Sequence, residues 1–313
     1  MLTPSILAAV KFQTKPAAGI IWMLFAVTFI HATAMADNQA GLAGTNSLVA
    51  SDPHFGIFNW LDHRSAYYRD FFPQPLLVED TGLEEDGEFE FGSLHTEANS
   101  QRNDIITAGV QKSFGRLTLE LEVPYERNSD ADDVSQGIGN IDLSARCPLY
   151  QFVSANGCFD TTLGVAMEVG IPVHSAASKN TEFAPRIFND LRLGGYFTLQ
   201  SVFGYSTLFG GGDNGGLQTF EYGFDLGYTI PHNELPLPGV QQFIPMFELS
   251  GETELNKADS GQNSLLGSIG FRMNLKPIGE MQSSFGLGFV FPIDNTARAE
   301  VHWGIVTSLT LEF

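Results

Sequence analysis

The sequence predicts an all-β protein, a transmembrane antiparallel up-and-down β-barrel of about 12 strands with a short N-terminal helical segment. Apolar and polar residues alternate from about residue 86 onward, and this alternation is the signature of β-strands. The alternating segments are about 9–13 residues long, which is the length that a tilted membrane strand needs. The polar faces are rich in glycine, which suits the confined interior of a barrel.

The composition excludes several classes of function. The chain has 313 residues, of which 43% are hydrophobic, and a formal net charge of -20. It is too apolar to be a disordered acidic chain. Its acidic balance argues against nucleic-acid binding, which needs a basic surface, and against electrostatic docking onto anionic lipid.

The N-terminal residues predict an export signal. Lys11 and Lys15 precede an apolar run of about 14 residues, 17–30, and Ala34-Met35-Ala36 follows as a small-x-small cleavage site. This order is typical of a cleaved secretory signal peptide, although an uncleaved anchor stays open. We therefore predict a signal peptide at 1–36, an N-terminal periplasmic or plug segment at 37–85 and an outer-membrane barrel at 86–313.

Twelve strands are predicted from the alternation. Their approximate bounds are 87–95, 103–112, 116–126, 138–147, 159–171, 188–199, 201–209, 218–230, 242–254, 264–275, 281–291 and 299–313. Short turn-rich stretches, such as GGGDNGG at 210–216, join neighbouring segments. Short connections predict an antiparallel meander.

The orientation of the two faces separates a membrane barrel from a soluble sandwich. In TLGVAMEVGIP, Val165, Met167 and Val169 alternate with Ala166 and Glu168. A soluble sandwich would bury the apolar face between two sheets. The small residues on the polar face favour the barrel, with the apolar face toward lipid and the glycine-bearing face toward an enclosed lumen.

The last strand carries the pattern Leu309, Leu311 and Phe313. An aromatic residue at the end of a membrane strand fits the aromatic belt at the bilayer interface. An even strand number keeps both ends of the barrel domain on the periplasmic side. These residues also resemble the C-terminal signal of bacterial outer-membrane barrels.

Charged residues on the predicted lumen face suggest a pore. The candidates are Glu120, Glu122, Asp142, Arg146, Glu168, Arg192, Glu221, Asp225, Glu248, Glu252 and Arg272. One interpretation is an acidic pore that favours cations. The other is a packed, salt-bridged interior that conducts little, because confined charges need partners.

The stretch before the barrel is rich in aromatic residues. Phe58, Trp60, Tyr67 and Tyr68 lie in HFGIFNWLDHRSAYYRDFFPQP, residues 54–75. This stretch either forms a plug in the lumen or lies as a helix at the periplasmic mouth with aromatic anchors; the helical spacing of its aromatic residues favours the mouth.

Cys147 and Cys158 are the only two cysteines. In an exported protein they predict a structural disulfide, which would contribute about 3 kcal/mol in the loop-entropy treatment. Free thiols are the alternative. Two cysteines alone make no zinc site, and we expect no metal or cofactor.

Three stretches carry a family resemblance: Leu121-Glu122-Val123-Pro124-Tyr125, GIGNIDLSARCPLY at 137–150 and LGVAMEVGIPV at 163–173. They resemble the outer-membrane transporter-like family named for the meta-pathway of phenol degradation (MetA-pathway). In that family a strand ending in Pro-Tyr is followed by a Gly-x-Gly-[Asp/Asn] strand start and then by a strand ending in Gly-hydrophobic-Pro. The resemblance implies a passive channel associated with uptake of aromatic or other hydrophobic compounds, and it brings no catalytic residues.

Enzyme motifs are not found in the sequence. There is no Gly-x-Ser-x-Gly, no His-Glu-x-x-His and no P-loop. His95 and His174 lie singly near loops, His302 and Ser206 are predicted to face the lumen, and the lipid face near the rim is predicted to show Val301 and Trp303 rather than a Ser–His pair.

The predicted function is passive passage of small apolar or aromatic solutes through the outer membrane, without enzymatic activity. A structural or adhesive barrel is the first alternative and a lipid-modifying enzyme the second. The expected partners are outer-membrane lipid, the barrel-assembly machinery and a small apolar solute. We expect a monomer and no nucleic-acid partner.

Overall fold

The computed structural model describes residues 73–81, 86–95, 102–114, 117–129, 134–153, 159–173, 179–194, 196–210, 214–278 and 281–312. Several predictions concern residues outside these ranges. They are the signal peptide, the N-terminal helical segment with Phe58, Trp60, Tyr67 and Tyr68, and the residues Cys158 and Phe313. These predictions, including the disulfide from Cys147, stay predictions.

Twelve long antiparallel strands form a closed barrel, which confirms the predicted fold class. The described strands are β1 (Asp86–His95), β2 (Arg102–Phe114), β3 (Leu117–Ser129), β4 (Val134–Ile138), β5 (Asn140–Val153), β6 (Phe159–Pro172), β7 (Thr181–Leu193), β8 (Phe197–Phe209), β9 (Gln218–Tyr228), β10 (Ile230–Pro231), β11 (Val240–Glu254), β12 (Asn263–Leu275), β13 (Gln282–Pro292) and β14 (Trp303–Glu312). Each long strand pairs with the next, and β14 pairs with β1. The short β4 pairs only with β3, and β10 pairs with β11.

The barrel has two distinct ends. Asp86 pairs with Glu312, so β1 begins and β14 finishes at the same end, which we call the terminal end. The connections after β1, β3, β6, β8, β11 and β13 lie at the opposite end, which we call the loop end. The predicted orientation places the terminal end in the periplasm.

The strand bounds differ from the prediction most clearly around β7. The predicted strand 188–199 is wrong, because β7 ends at Leu193 and β8 begins at Phe197. Gly194 has a positive φ of 65°, which suits a tight turn. Pro185 lies inside β7, and a proline within an alternating run lowers the strand signal. Pro124 also lies inside a strand rather than at its end.

The two faces of the wall are those of a membrane barrel. Apolar side chains such as Phe89, Leu119 and Ile187 are exposed on the outer face, whereas Glu248 and Arg272 are almost completely buried on the inner face. A soluble sandwich would show the reverse. The apolar face therefore contacts hydrocarbon and the polar face encloses the lumen.

A short helix, Asn295–Glu300, connects β13 and β14 at the loop end. Its N-terminus is capped by Asp294, whose side chain accepts a hydrogen bond from the Ala297 backbone at 2.8 Å. The predicted strand 299–313 therefore begins later, at Trp303. Within the described ranges, no helix has the length and apolar character needed to cross a membrane.

Candidate functional site

The lumen contains residues 73–81, with the sequence PQPLLVEDT, which we call the lumen segment. Gln74, Leu76, Leu77, Val78 and Thr81 are buried there. The segment contacts ten of the twelve long strands, namely β1, β2, β5, β7, β8, β9, β11, β12, β13 and β14. A segment with partners on all sides occupies the cross-section of the lumen.

One carboxylate holds the bend of the lumen segment. The side chain of Glu248 accepts hydrogen bonds from three consecutive backbone N–H groups, those of Leu76 at 3.0 Å, Leu77 at 2.6 Å and Val78 at 3.0 Å. Consecutive N–H groups that converge in this way form a nest for an anion. Because Glu248 is fully buried, its carboxylate depends on these donors.

A second anchor lies near Gln74. Arg272 donates from Nη1 to Gln74 Oε1 at 2.9 Å and from Nη2 to the Pro75 carbonyl at 3.4 Å. Gln74 in turn donates to Glu88 Oε2 at 2.7 Å. Thr310 donates to Gln74 Oε1 at 2.7 Å. The amide of Gln74 thus joins the lumen segment to β1, β12 and β14.

Ion pairs hold the C-terminal end of the lumen segment, at Glu79 and Asp80. Arg186 Nη1 lies 3.3 Å from Glu79 and 2.7 Å from Glu168, and its Nη2 lies 3.3 Å from Glu221. In a second cluster, Arg146 Nη1 lies 3.5 Å from Asp80 and its Nη2 lies 2.5 Å from Glu120. Each arginine therefore bridges acids of the wall and an acid of the segment.

Glycines on the wall make room for the apolar side chains of the segment. A Cβ added to Gly286 would lie 2.5 Å from Leu76 Cδ2, and one added to Gly223 would lie 2.4 Å from Val78 Cγ1. Gly288 also faces Leu76. Real Cβ atoms do not show contacts this short, so a larger residue at these positions would force the facing side chains of the segment to shift.

An apolar cluster covers the segment on its loop-end side. Leu76 and Leu77 pack with wall residues of four adjoining strands and with residues of the connection between β13 and β14. The wall residues are Leu94, Leu266, Val290 and Val306, which we call the apolar wall patch, and the connection contributes Ala297 and Val301. This finding corrects the prediction that Val301 faces lipid, because Val301 precedes β14 and turns inward.

A small cavity remains beside the segment, against β7, β8, β9 and β11. It has a volume of about 70 Å³ and is lined mainly by Val78, Glu79, Arg186, Val202, Glu221 and Ser250. A water molecule takes about 30 Å³ of liquid volume. The cavity accommodates a few waters.

The eleven predicted lumen residues all lie on the inner face. Arg146 and Arg186 organise the two clusters above, and Arg192 pairs with Asp160 at 2.8 Å. Their role as lining of an open pore stays a prediction. Ser206 faces the lumen and donates to Glu182 at 2.5 Å. His302 lies exposed in the connection before β14, and the prediction that it faces the lumen stays a prediction.

Sequence reasoning left residues 73–81 open between a plug in the lumen and the periplasmic mouth, and it missed Arg186. The segment has no strand or helix periodicity, so the alternation that predicts the wall gives no position for it. A usable signal was the run Leu76-Leu77-Val78 followed by Glu79 and Asp80. Its apolar side chains need burial and its acids need cationic partners, and a glycine-rich lumen with arginines can supply both. Arg186 was missed because the start of β7 was placed too late.

The outer face near the rim also differs from the prediction. Ser93 and His95 lie on the outer face of β1 at the loop end, and Ser93 Oγ lies 3.3 Å from His95 Nε2. The prediction of no Ser–His pair on this face is therefore wrong. Among the described residues, no group of three or more His, Cys, Asp or Glu side chains is arranged to hold a metal ion.

Comparisons with known proteins find likeness only at the level of structure. No protein-family model matches the sequence, and no curated protein matches it significantly. A solved outer-membrane channel from Pseudomonas putida F1 has 14% identity and a TM-score of 0.49, and the match covers 78% of this chain and 98% of that one. The NanC porin has 7% identity and a TM-score of 0.42 over 72% of this chain and 98% of its own. The KdgM porin has 11% identity and a TM-score of 0.40 over 73% and 99%. Likeness this weak supports no argument about function, and the MetA-pathway family stays a prediction.

Proposed function

We propose that this protein is an outer-membrane channel whose lumen is closed by the lumen segment and opens when that segment is displaced. Passage is passive, and the solutes are small and apolar or aromatic. The chain is exported, assembled into the membrane by the barrel-assembly machinery and works as a monomer without a cofactor. The observation that carries this proposal is the presence of a separate, locally anchored stretch of chain across an otherwise enclosed lumen.

The way in which the segment is held supports a movable closure. Its main anchors are single side-chain groups, Glu248, Gln74 and Arg186, and no strand pairing joins the segment to the wall. A β-ladder would add a continuous row of backbone hydrogen bonds. Side-chain anchors can be exchanged for water one at a time, so the segment can leave without breaking the wall.

The apolar wall patch supports the class of solute. Leu94, Leu266, Val290 and Val306 lie on the adjoining strands β1, β12, β13 and β14 and face the interior of the barrel. Leu76 and Leu77 cover them in the closed form. When the segment leaves, this patch offers an apolar surface that an apolar or aromatic solute can contact.

A structural barrel that does not conduct is the second candidate. The specific observation in its favour is the extent of the buried hydrogen-bond network, which links the segment to most of the wall. Buried hydrogen-bond networks make the interior that they fill more rigid. Conductance separates this candidate from the channel.

The experiment compares single-channel currents of the wild-type protein with those of Glu248→Gln in planar bilayers. Glutamine keeps one acceptor oxygen but places an NH₂ donor against the backbone N–H groups of residues 76–78. Losing a hydrogen bond to a charged group costs about 1.5–3 kcal/mol, and 1.4 kcal/mol corresponds to about tenfold in an equilibrium. The open fraction is expected to rise by about tenfold or more.

The matched control is Glu234→Gln, which changes an exposed carboxylate in the turn after β10. It is expected to leave the currents at the wild-type level. If Glu248→Gln folds as a barrel and conducts no more than Glu234→Gln, the lumen segment is not the closure. If no variant carries a single-channel current in the presence of aromatic solutes, the structural barrel is favoured.

A further inference from the structure

The arginines of the described strands divide sharply by face. Arg146, Arg186, Arg192 and Arg272 point inward and are buried. Only Arg102 and Arg127, among the arginines on those strands, point outward. They lie on the neighbouring strands β2 and β3, and Arg127 is directly opposite Asp104 in the register. A chain with a net charge of -20 thus carries a local pair of cations on its outer face.

Neighbouring side chains orient Arg102 through its Nε group and leave its terminal amino groups available. Its Nε donates to Asp104 Oδ1 at 2.6 Å and to Ser93 Oγ at 3.2 Å. Its side chain is 46% exposed, and its Nη1 and Nη2 groups have no hydrogen-bond partner among the described residues. A guanidinium fixed through Nε presents the two terminal amino groups side by side, which is the arrangement that binds phosphate oxygens.

An aromatic surface adjoins the arginines. His95 and Trp303, at the ends of the neighbouring strands β1 and β14, stack with their ring centroids 4.0 Å apart and an interplanar angle of 10°. Phe289 continues the stack, 6.4 Å from Trp303. Tryptophan is enriched where a membrane protein meets the headgroup layer. This places Arg102, Arg127, His95 and Trp303, which we call the rim patch, at the height of lipid headgroups on the loop-end side.

Ser93 and His95, within this region, do not have the hydrogen-bond arrangement of a catalytic pair. Ser93 is only 5% exposed, and its hydroxyl donates to Asp104 Oδ1 at 2.7 Å. A nucleophilic serine would instead donate to the histidine, and an acid would orient the histidine from its other side. Here Asp104 contacts the serine and the arginine. Ser93 and Asp104 therefore position Arg102.

We infer that the rim patch binds the phosphate of a phosphorylated glycolipid in the leaflet at the loop end of the barrel. The phosphate oxygens accept from Arg102 Nη1 and Nη2 and from Arg127. The sugar lies against Trp303 and His95. The acyl chains continue down the outer face along the apolar side chains of β1 and β14, such as Phe89 and Ile305, which are exposed there. The overall negative charge of the chain does not prevent this, because lipid contacts are decided within about one Debye length, which is about 8 Å at physiological salt.

The test uses native mass spectrometry of the folded protein released from neutral detergent micelles. The micelles contain lipid A, an acylated disaccharide carrying phosphates, or its dephosphorylated form, or detergent with inorganic phosphate alone. The wild-type protein is expected to retain one lipid A molecule and to retain the dephosphorylated form at least about tenfold less, since a charge-assisted bidentate pair is about twice as strong as a neutral hydrogen bond. Inorganic phosphate is expected to show no retained adduct.

Variants then locate the site. The double change Arg102→Gln and Arg127→Gln is expected to reduce lipid A retention to the level of the dephosphorylated lipid. Arg298→Gln, on the exposed helix at the loop end, is the matched control and is expected to leave retention unchanged. Equal retention of the two lipids by the wild-type protein would overturn the inference without any variant. So would full retention by the double variant, or retention of inorganic phosphate in place of the lipid.

Discussion

The two sides of the lumen hold the same segment by different means. On the side of β12, β13, β14 and β1, Leu76 and Leu77 lie in an apolar cluster with the apolar wall patch. On the side of β5, β7 and β9, Arg186 and Arg146 bridge acids of the wall to Glu79 and Asp80. One side offers shape and burial, and the other offers charge and hydrogen bonds.

The difference indicates how such a closure can be both firm and reversible. Apolar contacts are not directional and lose only their burial when the segment moves. Buried ion pairs are directional, and removing one partner leaves the other charge uncompensated. The charged side therefore fixes the register of the segment, while the apolar side contributes surface that an apolar solute can replace.

The largest expected effect follows from Arg186→Gln on the charged side. The change leaves Glu168, Glu79 and Glu221 close together without their shared cation. Breaking a buried ion pair in this way costs about 3–5 kcal/mol. Urea unfolding in detergent, followed by circular dichroism, measures the free energy of unfolding. Arg298→Gln, on the exposed loop helix, is expected to change it by less than about 0.5 kcal/mol; equal values for the two variants would show that the charged side contributes little.

A pair of glycine substitutions compares the two sides directly. Gly286→Val places methyl groups where Leu76 packs, because a Cβ there already lies 2.5 Å from Leu76 Cδ2 and 2.8 Å from Ser308 Oγ. Gly204→Val places its methyl groups on the charged side, where a Cβ lies 2.8 Å from Arg186 Cγ. Overpacking costs about 1–3 kcal/mol. We expect Gly286→Val to raise the open fraction of single-channel currents more than Gly204→Val. The reverse order would mean that the apolar side is not the tighter one.

The smallest expected effect is a pH dependence at the loop end. Burial raises the pKa of Glu300 from 4.5 to about 7; a hydrogen bond from Ser264 opposes this rise and nearby Asp294 adds to it. The folded connection therefore holds the proton more tightly than the unfolded one. Its stabilising contribution is complete below about pH 4.5 and is lost as the pH rises through about 7.

Hydrogen exchange of the peptide covering 293–303, corrected for the intrinsic rate, measures this effect. Protection in the wild-type protein is expected to be higher at pH 5 than at pH 8. Glu300→Gln cannot titrate and is expected to show the same protection at both values. A wild-type protein with no pH dependence would contradict the assignment to Glu300.

The wall of the barrel could be predicted from the sequence because the polarity of each wall residue indicates whether it faces lipid or the lumen. Leu119 must face lipid and Glu120 must face the lumen, since the side-chain period of a strand is two. The face of Glu248 follows from the same rule. Its partners do not, because the backbone N–H groups of residues 76–78 are distant along the chain and carry no side-chain signal.

The same limit explains the errors at β7 and at the rim. Pro185 weakens the strand signal at the start of β7, but it pairs there with Met167 of β6, so strand pairing overrides the local rule for proline. Ser93, His95 and Asp104 meet only because β1 and β2 are in one particular register. Pairings across strands depend on register, which the alternation pattern leaves open.

The most direct test of closure by the lumen segment is the single-channel conductance of a variant that lacks residues 73–81, recorded beside the wild-type protein. Circular dichroism and heat-dependent gel mobility first establish that the variant is a folded barrel. We expect the wild-type protein to be mostly closed and the variant to show a stable open current that aromatic solutes reduce. A folded variant with no more current than the wild-type protein would contradict the account.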